Sequence, residues 1–267
     1  MKKYIALTRA GIIQELHFRL GTFVTIFGNL IYLTLIYHLW KAIYASAGTD
    51  AVNGMSFSDT IIYLVLATAL FNFLEMYIVW EMSRSIQSGA IVLDLLKPLK
   101  YRRLKFFEYF GKNVMTFFAT FLPTFIIVFF ITSGTIAIGW NLLYFGISVV
   151  LALLVNFYID MFVATICLHT ESTWGINIVK ESVVLLFSGA TIPLVFFPER
   201  FRRIVECLPF RCIYDAPLNI LLRKPGYTPE TGLWLMLGLQ LLWYVGLCVA
   251  SKLFWEYSVK RITVNGG

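Results

Sequence analysis

Charge is scarce in this chain. Only 14% of its 267 residues are Asp, Glu, Lys or Arg, against ~25% in soluble globular domains. With 59% hydrophobic residues, 17% aromatic residues and a mean hydropathy of +0.77, its long apolar runs exclude a soluble protein and read as membrane-spanning helices. Histidine is nearly missing, and His17, His38 and His169 have no partner at metal-ligand spacing, which excludes a zinc site. No Gly-x-x-x-x-Gly-Lys-Ser/Thr stretch occurs. Gly111-Lys112-Asn113 lacks the upstream glycine and the hydroxyl, so the chain does not cradle nucleotide phosphates in the P-loop manner. Gly-x-Ser-x-Gly is absent too. Of four cysteines, Cys167 and Cys248 fall in apolar runs as packing residues. Cys207 and Cys212 read as free thiols, unless their loop faces an oxidising side that would bridge them.

What charge there is leans positive, at +7. The basic residues sit in gaps between apolar runs, where they fix topology and meet anionic lipid head groups. No stretch is both basic and long enough for a nucleic-acid module. The expected fold is an all-α polytopic membrane protein, one domain over 1–267, with six transmembrane helices near 21–44, 58–80, 106–132, 140–168, 175–197 and 232–256. The third carries Pro123 and is expected to break near Gly111-Lys112. Residues 1–19 suit an interfacial helix, with Ile5, Ile12, Ile13 and Leu16 on one face and Arg9 in the middle of it. Ala45-Ser46-Ala47 resembles a signal cleavage site, but the apolar run Leu20 to Trp40 is too long for a signal core of roughly 7–15 residues.

The turns 45–57 and 133–139 carry no Lys or Arg, so they lie outside. Both termini and most of the 22 basic residues then fall in the cytoplasm. The loop 198–231 is external on this count, yet it carries Arg200, Arg202, Arg203, Arg211, Arg223 and Lys224 against the trend. In it, Phe201, Ile204, Val205 and Leu208 follow a helical stripe between Pro198 and Pro209, and the apolar piece Phe210 to Leu222 is too short to span. These pieces read either as a lid lying on the membrane or as a gate touching substrate.

The densest basic run lies in the loop 82–105, which belongs on the cytoplasmic side. Gly89 and Pro98 bracket a short apolar piece, Ala90 to Leu96, bearing Asp94. That is a helix of one to two turns, serving either to join two spans or to dock a soluble partner. Deeper in the membrane, Glu75, Asp160 and Asn156 are candidate pathway residues, because a carboxylate in hydrocarbon costs at least ~2.5 kcal/mol. They fit either a proton relay or polar pins between helices, as Asn72 also would.

Two motifs carry a resemblance. One is Ser85-Ile-Gln-Ser-Gly89-Ala-Ile-Val-Leu-Asp94-Leu-Leu-Lys97-Pro98-Leu; the other is Phe187-Ser-Gly-Ala-Thr-Ile192-Pro193-Leu-Val-Phe-Phe197-Pro198, continuing to Tyr214-Asp-Ala-Pro217. In their order and spacing the chain resembles the membrane subunit of ABC-2 type transporters, specifically compact six-span bacterial permeases. The resemblance implies a cytoplasmic coupling helix that seats in a separate ATP-binding cassette subunit, here through Ser88, Gly89, Ile91, Asp94, Leu95 and Pro98. It also implies re-entrant external helices before the last span, with Pro193, Phe197, Arg200 and Arg203 as an external gate. A second permease subunit, identical or paralogous, completes the assembly in the bacterial cytoplasmic membrane. This chain then has no catalytic activity and holds no cofactor, ATP and Mg belonging to the partner ATPase. A competing expectation is an ion-coupled carrier working through Glu75 and Asp160.

Overall fold

The computed structural model describes residues 2–17, 19–132, 139–170 and 173–260. The expected outer turn 133–139, save Gly139, and the C-terminus beyond Lys260 lie outside the described residues. Helices α1 (Lys2–His17) and α2 (Arg19–Ala47) lead into a hairpin of β1 (Ala51–Val52) and β2 (Met55–Ser56). Asn53 and Gly54 join the strands at φ of 50° and 82°, the left-handed pair that a two-residue type I′ turn requires. Ser56 then caps α3 (Phe57–Leu74), its hydroxyl accepting from the Asp59 amide at 3.1 Å. The Tyr44 hydroxyl, 2.9 Å from the Met55 carbonyl and 2.8 Å from Thr60 Oγ1, fastens α2 to this corner.

Next come α4 (Ile78–Gln87), the short α5 (Ile91–Leu95), α6 (Tyr101–Thr116), a π turn (Phe117–Phe121) and α7 (Leu122–Ile131). After them follow α8 (Trp140–Ile166), α9 (Thr173–Phe187), α10 (Glu199–Glu206), α11 (Asp215–Leu221) and α12 (Leu233–Val259). Among the described residues, five stretches are long and apolar enough to cross a membrane: Phe23–Ala47, Phe57–Gln87, Tyr101–Ile131, Trp140–Ile166 and Leu233–Val259. The chain is an integral multi-pass membrane protein. The expected fifth span, 175–197, is α-helical only to Phe187, with a single 3-10 turn at Leu194–Phe196. The 15 residues of α9 rise about 22 Å, short of a ~30 Å hydrocarbon core.

Contacts sort the loops into two ends. At one, Asn53 donates to the Val195 carbonyl (3.3 Å), Lys224 pairs with Asp59 (3.3 Å) and Arg223 donates to Asn141 (3.0 Å). At the other, Tyr101 stacks on Trp255 at 4.8 Å, His169 meets Ser258 at 2.8 Å, and α5 projects. Between the ends α8 forms the centre, packed against α12, α11 and α4. Half of the apolar window of α8 is buried (50%), but only 6% of that of α2. Leu20, Phe27, Leu30 and Leu35 of α2 therefore face outward, as lipid-facing helices do.

Two local expectations fail in instructive ways. The third span does not break at Gly111-Lys112, since α6 runs through them. Gly111 instead admits α1: a Cβ there would collide with the Thr8 carbonyl, and one on Gly11 with the Glu108 carbonyl. The irregularity falls later, at the π turn before Pro123, whose missing N–H removes a ladder bond. Along α1, Ile5, Ile13 and Leu16 are exposed, whereas Ile12, expected on the same face, is half-buried.

Candidate functional site

The basic loop is organised around one ammonium. Lys105 Nζ lies 2.6 Å from Glu81 on α4, 3.3 Å from Asp94 on α5 and 3.5 Å from Glu108 on its own helix. The Tyr109 hydroxyl donates to the other Glu81 oxygen at 2.6 Å, and Lys97 donates to Asp94 at 2.6 Å. Burial works against the Asp94 carboxylate. The Lys97 hydrogen bond and the Lys105 charge outweigh it and hold its pKa below the ordinary range. Asp94 is thus turned inward and ties α5 to both neighbouring spans.

Ile91 is also buried, Leu95 is half-buried, and Gly89 turns the chain at φ 72°. Of the six residues expected to dock a partner, only Ser88 and Pro98 are fully on the surface. The sequence reading missed Leu93 and Leu96, 67% and 75% exposed at i, i+3 spacing on the tip of α5. The signal was available: a five-residue helix with four apolar side chains cannot bury them all.

The second span is broken mid-course. Helix stops at Leu74, Glu75 takes an extended conformation (φ −62°, ψ 132°), and helix resumes at Ile78. The break frees carbonyls that have no water to meet in hydrocarbon. Asn156 of α8 donates to the Leu74 carbonyl at 2.8 Å, and Asn113 of α6 to the Phe73 carbonyl. The pinning role expected of Asn156 is met, and Asn113 is an unforeseen second pin. Asn72 only bonds the Thr68 carbonyl in its own helix (2.8 Å).

One turn below Asn156, Asp160 is wholly buried and paired with Lys180 of α9 at 3.0 Å. Glu75, Asn156, Lys180, Glu181 and Tyr214 line a small cavity of about 30 Å³ at the break. Of the three expected pathway residues, Glu75 and Asn156 line this cavity together, whereas Asp160 does not and is linked to it only through its pair with Lys180. On the other side of the break, Glu75 and Tyr77 border a larger cavity of about 780 Å³ that runs between α1, α2, α4 and α6. Among the described residues no cluster of His, Cys, Asp and Glu could hold a metal ion.

At the end opposite α5, the expected gate residues do not converge. Pro193 is buried, Phe197 packs edge-on against Phe201 (5.5 Å), and Arg200 and Arg203 are exposed, Arg203 paired with Glu199. The buried polar centre here is one the sequence reading passed over. Asp215 accepts from the Tyr227 hydroxyl at 2.8 Å, from Asn219 at 2.8 Å and from Arg211 at 3.3 Å. Burial lifts the Asp215 carboxyl above its usual range in spite of Arg211 and these hydrogen bonds. Gln240 of α12 clamps this layer to α8, donating to the Cys212 carbonyl (2.8 Å) and accepting from Ser148 (2.9 Å). Cys207 and Cys212 are free thiols, the first exposed and the second buried.

A family model described as "ABC-2 family transporter protein" matches residues 30–266. A search of the curated proteins finds no match.

Proposed function

The chain belongs to the ABC-2 family of transporter proteins, and from that premise we propose that it is the membrane-spanning subunit of an ATP-driven exporter. Members of this family are the membrane subunits of ABC transporters, which typically leave ATP hydrolysis to a partner ATPase. On this reading α5 is the coupling helix. Its exposed Leu93 and Leu96 enter a groove of the ATPase, flanked by Ser88 and Pro98. The observation that carries the proposal is the rigid root of this tip. Asp94, Glu81 and Glu108 share Lys105, so a push on α5 moves α4 and α6 together. The break at Glu75–Tyr77 lies directly above, where a shift in α4 can be taken up without unwinding α3.

The basic α5 end then faces the cytoplasm of a bacterium, with both termini on that side. The layer around Asp215 is the external lid, with α10 and α11 re-entering from outside and α9 with residues 188–197 making the sixth crossing. The outward apolar faces of α2 and α12 are shared between lipid and a second permease subunit. ATP and Mg reside on the ATPase. The ion-coupled reading has no comparable support, since Asp160 is closed to solvent and neutralised by Lys180.

The test is co-purification. Expressed with its ATP-binding cassette partner, the wild-type chain retains the ATPase through affinity purification, and Leu93→Asp with Leu96→Asp releases it. Retention by the doubly substituted chain would sink the assignment of α5.

A further inference from the structure

Glu75 and Glu181 stand apart from the other carboxylates within the bundle. Glu81 and Glu108 share Lys105, Asp160 holds Lys180, and Asp215 holds Arg211. Among the described residues neither Glu75 nor Glu181 makes such an ion pair: Glu181 accepts from Asn177 at 2.5 Å outside the larger cavity, and the side-chain partner of Glu75 is the Tyr77 hydroxyl. Glu75 follows the 18 helical residues of α3 and lies within the apolar stretch Phe57–Gln87. A carboxylate without a counter-charge is costly there. Asn113 and Asn156 hold the backbone on both sides of the break, so Glu75 cannot withdraw without disturbing two other helices.

Its surroundings are shaped to receive something. The cavity that Glu75 borders, about 780 Å³, falls within the ~300–1,000 Å³ of small-molecule sites. Two cations also line the cavity, Lys112 over the Tyr109 ring at 4.7 Å and Arg84 exposed at the far end of α4, while Lys105 is held by three carboxylates and Lys180 by Asp160. Phe23, Tyr77 and Met115 supply apolar and aromatic wall. Four carboxylates, Glu15, Glu75, Glu81 and Glu108, line the cavity against the cations Arg84 and Lys112, which disfavours an anion. An organic cation would gain a charge-assisted contact with Glu75 and a ring face on Tyr77.

We propose that this cavity binds an amphipathic organic cation, with its charged centre at Glu75 and its apolar body against Phe23, Tyr77 and Met115. The inference deepens the exporter reading by naming a substrate class, and it rests on that reading only for the step from binding to transport. The purified full-length chain in lipid nanodiscs is assayed by equilibrium dialysis with two ions of matching shape and opposite charge, tetraphenylphosphonium and tetraphenylborate. Saturable, displaceable binding is expected for tetraphenylphosphonium alone. Glu75→Gln lowers that affinity by about 10- to 100-fold, whereas Glu181→Gln, outside the cavity, leaves it within about twofold of wild type.

Equal binding of the two ions by wild type, or unchanged affinity in Glu75→Gln, overturns the proposal. If Glu75→Gln does not fold, the comparison of the two ions on wild type decides alone. The Leu93→Asp, Leu96→Asp chain binds tetraphenylphosphonium like wild type. A wild-type chain that binds the cation but never retains an ATPase therefore refutes the exporter reading and leaves this one standing.

Discussion

The Asn156 side-chain amide donates to the Leu74 carbonyl across 2.8 Å, and Asn113 takes the carbonyl one residue earlier. Two spans thus reach into a third at the point where its helix stops. A break in a membrane helix persists only if its freed backbone groups find partners. These amides supply them, and the break places Glu75 beside both cavities.

Replacing either amide with an apolar side chain of similar size should leave a carbonyl unsatisfied in hydrocarbon. Asn156→Leu and Asn113→Leu are each expected to cost about 1–3 kcal/mol, read as the shift of the unfolding midpoint in mixed detergent micelles. Asn72→Leu, whose amide bonds only its own helix, should cost less than either. Equal losses at all three positions would mean that side-chain volume, and not the capped break, sets the stability.

The Asp160–Lys180 pair joins α8 to α9 across 3.0 Å, with Asp160 wholly buried. Removing one partner strands the other. Lys180→Met should destabilise by about 3–5 kcal/mol, and so should Asp160→Leu. The double substitution should recover most of the loss, because no uncompensated charge remains. A double-mutant cycle in the same micelles measures this. Losses that simply add would show the two residues to be independent.

The contact of α1 with α6 depends on having no side chain at Gly11 and Gly111, because a Cβ on either meets the backbone of the other helix. Gly111→Ala should push α1 off α6 while the spans stay folded. Spin labels placed at Tyr4 and Phe107, whose rings are 4.7 Å apart, should report a longer and broader distance by pulsed electron resonance. An unchanged distance would mean that the crossing has slack for a methyl group.

Run length and hydropathy make five long apolar helices legible, because an apolar helix of membrane length has few other places to go, but the same signal expects a sixth at 175–197 where α-helix ends at Phe187. The break in span two is not legible. Residues 71–80 contain neither Gly nor Pro, and the groups that make the break tolerable are 40 and 82 residues away in sequence. Gly111 misleads for the complementary reason. Glycine inside a helical run marks either a weak point or a close approach, and only the position of α1 decides between them. In α5, too few residues exist for periodicity to show which face is covered. Asp94, the obvious polar handle, proves to be the anchor, and Leu93 and Leu96 are the exposed tip.

Cysteine labelling tests the lid and the orientation together. Burial pushes the Cys212 thiol up to about 12, in spite of Arg211 beside it. Its reactive thiolate is then about one part in ten thousand at pH 8, and the side chain is closed to solvent. Cys207 is exposed. A membrane-impermeant maleimide added to intact cells at pH 7 to 8 should modify wild type once, and Cys207→Ser should abolish the signal. Cys212 should stay silent until denaturant opens the layer held by Gln240 and Asp215. Rapid labelling of Cys212 in the native protein would mean that this layer opens on its own. Silence at Cys207 in intact cells, with labelling in inverted vesicles, would put the α5 end outside and leave an ATPase with nothing to grip.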